Sequence, residues 1–197
     1  FAHQVEERAR TLPGVTAAGV VESVPLWERS AANTSLQVEG RVVTAVGEAP
    51  TAMVQRLTPG GVSALGLRIR RGRALSPLDV EAQRPVCLVN EEFVRKVLGG
   101  ADPFATRVRR FDDRQRWMEV VGVVADVKQT GALADPWPQV VVPLEQAAET
   151  GYYTPTGFSL VVRGATAETT LAGAVRRMVR EVGPTVAIRE IRALAAI

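Results

Sequence analysis

Histidine, cysteine and lysine are almost missing from this sequence of 197 residues, and each shortage removes a class of chemistry. A nucleophile needs a base within hydrogen-bond reach. The single histidine, His3, sits in an end turn that frays. No G-x-S-x-G elbow occurs, and no G-x-x-x-x-G-K-[ST] phosphate loop, so nothing points to hydrolysis by a serine or to ATP turnover. Cys87 is the only cysteine, which excludes an intramolecular disulfide and a multi-cysteine zinc site. Its setting, Val86-Cys87-Leu88-Val89, predicts a buried thiol that packs as a small hydrophobe. Long apolar runs are absent as well. The longest, such as residues 120–125, have strand length, far short of the roughly 20 residues of a membrane span. The sequence opens at Phe1 with no initiator Met and no signal-like segment, and reads as a piece of a longer chain, so the absence of a span says little about the parent protein.

What the chain has in quantity is arginine. Lys96 and Lys128 are the only lysines, yet the net charge is +3. The arginines concentrate at 68, 70, 71 and 73, and again at 107, 109, 110, 114 and 116. Three readings of these clusters stand: a solvated strand face, a surface for anionic lipid headgroups, or a nucleic-acid interface. The small net charge favours the first, and only Phe111 and Trp117 offer stacking platforms nearby. Arg70, Arg71, Arg109 and Arg110 are the candidate contacts to a partner or lipid, together with the loop tryptophans Trp27 and Trp137.

The hydrophobic pattern alternates between helices and strands. Residues 3–12 place Val5, Ala9 and Leu12 at helical spacing before Pro13-Gly14. Residues 15–24 read as a strand. Residues 35–46 read as a hairpin turning at Glu39-Gly40, and residues 51–57 as a further strand. Residues 62–67 suggest a short apolar turn or helix. The continuous run 85–89 predicts a strand buried on both faces. Asn90 then caps a helix with Glu91 and Glu92 in its first turn and Gly99-Gly100 at its end. Residues 106–111 and 117–127 flank the polar turn 112–115 as a second hairpin. Residues 139–143 and 158–162 read as strands, 168–182 as the clearest amphipathic helix, and 186–191 as a last strand. Hairpins among alternating elements predict an α+β fold. The acid pairs Asp112-Asp113 and Glu91-Glu92 fit a turn tip and a helix first turn better than catalysis, and no spacing suggests a metal site.

The order of short motifs carries a resemblance. Leu12-Pro13-Gly14-Val15 precedes Val24-Pro25-Leu26, then Val38-Glu39-Gly40, Leu65-Gly66-Leu67, Gly72-Arg73 and Asp79. After these come Val86 to Asn90 with Glu91-Glu92-Phe93, Asp102-Pro103, the run 120–127, Pro136-Trp137-Pro138, Val161-Val162-Arg163 and Gly183-Pro184. Over essentially its whole length the chain resembles the MacB-like periplasmic core domain of the MacB/FtsX-like ABC-transporter permeases. It departs from the family in having Gly61-Val62 where an aromatic pair is common, and Ala105 where glycine is common. The resemblance implies two subdomains. One is a porter-like α/β sandwich built from both chain ends, 1–66 and 147–197; the other is a smaller inserted α+β unit, 67–146. It further implies a non-catalytic domain between the first two membrane helices of a permease, on the periplasmic or extracellular face of the inner membrane. There it would couple a separate ATPase subunit or domain to export or to periplasmic partners, acting through the membrane helices. It implies no cofactor, no metal and no nucleic acid, and it is compatible with a homodimer of the full permease. The reading it competes with is an arginine-rich module for nucleic acid or anionic lipid.

Overall fold

The computed structural model describes residues 1–25, 32–82, 84–111, 116–128, 135–146, 157–165 and 167–193. Its helices are α1 (Ala2–Arg10), α2 (Pro59–Leu65), α3 (Pro77–Glu81), α4 (Glu91–Lys96) and α5 (Glu168–Val182). Its strands are β1 (Val15–Val21), β2 (Ala32–Val38), β3 (Thr51–Leu57), β4 (Ile69–Gly72), β5 (Val86–Asn90), β6 (Arg107–Arg110), β7 (Met118–Val124), β8 (Gln139–Pro143) and β9 (Ser159–Gly164). Helices and a strand-rich mixed sheet together bear out the α+β expectation in its coarse form.

The sheet closes on itself. Its path runs β2-β6-β7-β5-β8-β3, and β2 pairs back onto β3. The closure depends on β2 changing partner along its length: residues 32–35 pair with β3, and Leu36, Gln37 and Val38 pair with β6. β3–β8 and β5–β7 are parallel and the other ladders antiparallel. β1 and β9 extend from β3, and β4 pairs with β7 on the side that β6 also uses.

Period-2 alternation explains how one sheet serves two cores. All six strands of the closed path send residues into one buried cluster, among them Leu36, Val54, Cys87, Val89, Val108, Met118, Val120 and Val140. Phe93 and Val97, from α4 and the residue that caps it, pack into the same cluster. The alternate residues Val86, Leu88 and Val141 face outward into a second cluster with Val21, Leu57, Val161 and the α2 residues Val62 and Ala64. β7 carries Val120 and Val123 on the same inner face because a bulge shifts its register against β5. A third cluster joins the chain ends: Val5 and Ala9 of α1, Ala18 of β1, and Met178 and Val179 of α5.

The residues after α2's N-cap are small for a steric reason. A Cβ on Gly19 of β1 would lie 2.1 Å from the Gly61 nitrogen, and one on Gly61 would lie 2.9 Å from Leu57 Cβ. Gly61 thus fits a backbone contact with no room for a side chain, while Val62 packs into the second cluster.

Several sequence expectations hold. The strands expected near 15–24 and 158–162 are present as β1 and β9, which pair, and the run 85–89 is a buried strand, β5. The helix 168–182 is present with those bounds. Gly99 and Gly100 after α4 both have positive φ, 62° and 85°. Two expectations fail. The second arm of the hairpin at 35–46 is not a strand: after Gly40 the chain runs irregularly into a 3-10 turn, Val46–Glu48, and Val42 is 89% exposed. β2 pairs instead with β3, across a longer connection, and with β6, so both of its sides are already occupied. Residues 186–191 form no strand. Pro184 breaks the chain after α5, and Ile188 packs against the third cluster.

Cys87 is fully buried, and burial pushes its thiol far above the ordinary range. A thiol reagent should therefore leave the native chain unmodified and label it only after denaturation. Cys87→Asp would bury an unpaired charge costing several kcal/mol, a large fraction of a typical stability. Circular dichroism should show that variant unfolded, while Cys87→Ala stays folded.

Candidate functional site

The strand arginines are brought together by β7. β4 and the first half of β6 pair along the same side of it, Arg71 opposite Val123 and Arg107 opposite Glu119. Most of these arginines, however, find partners within the fold. Arg70 lies 3.7 Å from Glu91. Arg71 lies 3.2 Å from Asp102 and stacks its guanidinium 5.2 Å from the centre of the Phe104 ring. Arg107 pairs with Glu39 and holds that carboxyl below the usual range. Arg109 donates from Nε to Gln37 Oε1 at 2.6 Å, its guanidinium 4.4 Å from the centre of the Trp117 ring. Arg110 is exposed and has contacts of its own. Exposed pairs of this kind add little stability, but each removes a positive charge from what a polyanion would meet.

Trp27 and the acid pair Asp112-Asp113 lie outside the described residues. Trp137 is 46% exposed, and its carbonyl is fixed in place. Asn90, which is fully buried, is the hub. Its Nδ2 donates to the Trp137 carbonyl at 2.8 Å and to Asp126 Oδ1 at 2.7 Å, while its Oδ1 accepts from the N–H groups of Phe93 and Gln139. One amide thereby caps α4 and ties the ends of β5 and β7 to the start of β8. Burial, aided by the nearby Glu91 carboxylate, raises Asp126 above the ordinary carboxylate range. Of the pair Glu91-Glu92, only Glu91 is a solvated first-turn acid. Glu92 is buried and held by Arg95 and by Lys96 at 2.7 Å.

Two polar links, one buried and one at the surface, escape a reading of the sequence. The first joins the end of β1 to β3. The Glu22 carboxylate pairs with Arg56, 1% exposed, while the Glu22 N–H donates to the Arg56 carbonyl at 2.8 Å. Ser23 and Gln55 exchange two hydrogen bonds beside it, and the Val20 N–H donates to Thr58 Oγ1. The available signal was Arg56 itself, a charge inside the strand-patterned run 51–57. The second link is a bidentate pair, Arg73 on Asp79, with both bonds at 2.6 Å. Asp79 also accepts from the Ser76 N–H at 2.9 Å, completing a capping box on α3. Burial alone would raise Asp79; Arg73 and the Ser76 N–H outweigh it and hold the carboxyl below its usual range. Among the described residues no group of three His, Cys, Asp or Glu side chains could hold a metal ion, and no helix is long and apolar enough to cross a membrane.

Removing one partner of a buried ion pair leaves the other charge stranded. Arg56→Met should cost about 3–5 kcal/mol, and Arg56→Met with Glu22→Leu much less than the two single changes added, in urea denaturation. The Asp79 carboxyl, with its folded pKa depressed, stabilises the fold fully above the unfolded value of roughly 4 and loses that contribution as the pH falls toward the folded value. Asp79→Asn should therefore lower stability near neutrality and flatten its decline below about pH 4, as followed by unfolding midpoints against pH.

The fold has close structural counterparts. The periplasmic region of MacB from Actinobacillus actinomycetemcomitans superposes with a TM-score of 0.65 at 14% identity, covering 92% of this chain and 74% of that one. The extracellular domain of the noncanonic ABC-type transporter YknZ from Gram-positive bacteria superposes with a TM-score of 0.66 at 12% identity, covering 94% and 86%. Comparison with curated proteins gives no match. At these identities the superpositions establish the fold. The sequence evidence is a family model, MacB-like periplasmic core domain, which matches residues 2–182. Domains of this family are extracytoplasmic parts of ABC-transporter permeases that work with ATPases, and no enzyme family is indicated. The match spans nearly the whole sequence, and the chain belongs to the MacB-like periplasmic core domain family.

Proposed function

We propose that this domain is a non-catalytic coupling element, which moves in response to a separate cytoplasmic ATPase and passes that motion to a transported substrate or to periplasmic partners. The observation that carries the proposal is the narrowness of the junction between the chain-end unit and the closed six-strand path. β1 and β9 pair along their whole length, from Val15 opposite Gly164 to Val21 opposite Ser159. β3 and β8 pair from Met53 to Leu57. Between these two ladders, β1 and β3 share a single register pair, Val21 with Leu57. Around that pair stand the backbone bonds from the Glu22 N–H to Arg56 and from the Thr58 N–H to Val20, the Glu22–Arg56 and Ser23–Gln55 links, the close approach of α2 to β1 at Gly19 and Gly61, and the cluster under α2. Two well-tied bodies joined at a short ladder form the arrangement a hinge requires.

A two-part division belongs to this proposal, with its boundary moved. The family resemblance implies that residues 1–66 and 147–197 belong together. The proposed hinge keeps α1, β1, β9 and α5 as the chain-end unit and assigns β2 and β3 to the other, because those strands close the six-strand path. Motion of one unit relative to the other would then be driven from the chain ends.

The test uses the intact permease with its ATPase in lipid vesicles. Spin labels at Thr170 on α5 and Leu78 on α3 report on the two units. Their distance distribution should shift by several ångströms between the nucleotide-free and ATP-arrested states. Superposable distributions would overturn the coupling role.

A further inference from the structure

Three arginines without partners share α5, away from the two strand clusters. Arg176, Arg177 and Arg180 of α5 are exposed, and none makes a hydrogen bond, ion pair or ring contact, whereas Arg70, Arg71, Arg73 and Arg107 are each held by a carboxylate. At 3.6 residues per turn the three fall within about 100° of arc on one helix face. Thr169 and Gly173 share that arc, so it holds no acid. The nearest acid on the helix, Glu181, is engaged by Arg8 of α1 at 3.2 Å. Opposite them, Val175, Met178, Val179 and Val182 bury the helix in the third cluster.

An apolar element adjoins this face. Gly183 closes α5, and a Cβ built on it would lie 2.6 Å from Cε2 of Phe1 and 2.9 Å from Cγ2 of Val186. Phe1 and Val186 therefore sit together over the helix end, and they are 50% and 41% exposed. An aromatic and a branched aliphatic side chain beside three uncompensated guanidiniums match the two terms of interfacial membrane binding: apolar insertion and attraction to anionic headgroups. A nucleic acid would use the charge and leave the apolar pair in water.

We infer that the α5 face, with Phe1 and Val186, docks against an anionic lipid bilayer surface. The inference rests on the reading of the chain as an extracytoplasmic domain of a membrane permease, and it assigns lipid contact to α5 in place of Arg70, Arg71, Arg109 and Arg110.

The test is co-sedimentation of this purified chain with phosphatidylglycerol-rich vesicles, with pure phosphatidylcholine vesicles, and with duplex DNA in a parallel titration. Binding to the anionic vesicles should exceed binding to the neutral ones and weaken as salt rises. Each of Arg176→Gln, Arg177→Gln and Arg180→Gln should weaken it about fivefold. Val186→Ser should weaken it without changing the salt dependence, while Arg70→Gln with Arg71→Gln should leave it unchanged. Circular dichroism establishes that each variant is folded. Absence of binding to the anionic vesicles, undiminished binding by the folded α5 triple variant, or equal binding to DNA with no effect of Val186→Ser would overturn the proposal. The measurement needs no ATPase and no hinge motion, so its failure would leave the coupling proposal standing, and failure of the spin-label test would leave this one standing.

Discussion

The architecture depends on β2 dividing its hydrogen bonds between two neighbours. With residues 32–35 on β3 and residues 36–38 on β6, the six-strand path becomes a closed circuit. Closure satisfies backbone groups that an open sheet would leave exposed at its margins, and it encloses the largest apolar cluster. It also determines where the remaining elements can go. α2 packs against β1 and joins the cluster outside β3, β5 and β8, and β1 with β9 continues from β3 beyond the residues that β2 uses.

Polar side chains then fix relations that apolar contact leaves loose. Asn90 ties three strand ends and a helix together through four hydrogen bonds, and Gln146 does similar service, donating to the carbonyls of Asp79 and Arg84 and accepting from the Val86 N–H. Such buried groups are costly unless satisfied, and satisfied they admit only one arrangement of the backbone around them. The Glu22–Arg56 pair follows the same logic at the junction of the two units.

What the sequence revealed follows from how local each signal is. The helix at 168–182, the cap at Asn90 and the buried strand around Cys87 are written in runs of a few residues, and all three were legible. The motif order identified the family, although no single motif is specific. The closed circuit was not legible. Neither half of Ala32–Val38 announces a change of partner, and Val42-Val43 imitates a returning strand that the structure does not form. The arginine clusters stood out by density, yet density says nothing of partners. Glu39, Glu91 and Asp102 are remote enough in sequence that only the fold brings them to bear. The three arginines of α5 read as the ordinary polar face of an amphipathic helix, and their lack of partners is visible only in three dimensions.

Ring closure also bears on how this chain avoids pairing with others. A strand with one side open is a template for a neighbouring chain, and charged side chains on such a strand oppose that pairing. Among the described residues, β4 and β9 each pair along one side only. β4 is short and reads Ile69-Arg70-Arg71-Gly72, and β9 closes on Arg163-Gly164. On β4, then, the arginines have a use that involves no ligand: their charge and bulk make an open margin a poor seat for a foreign strand.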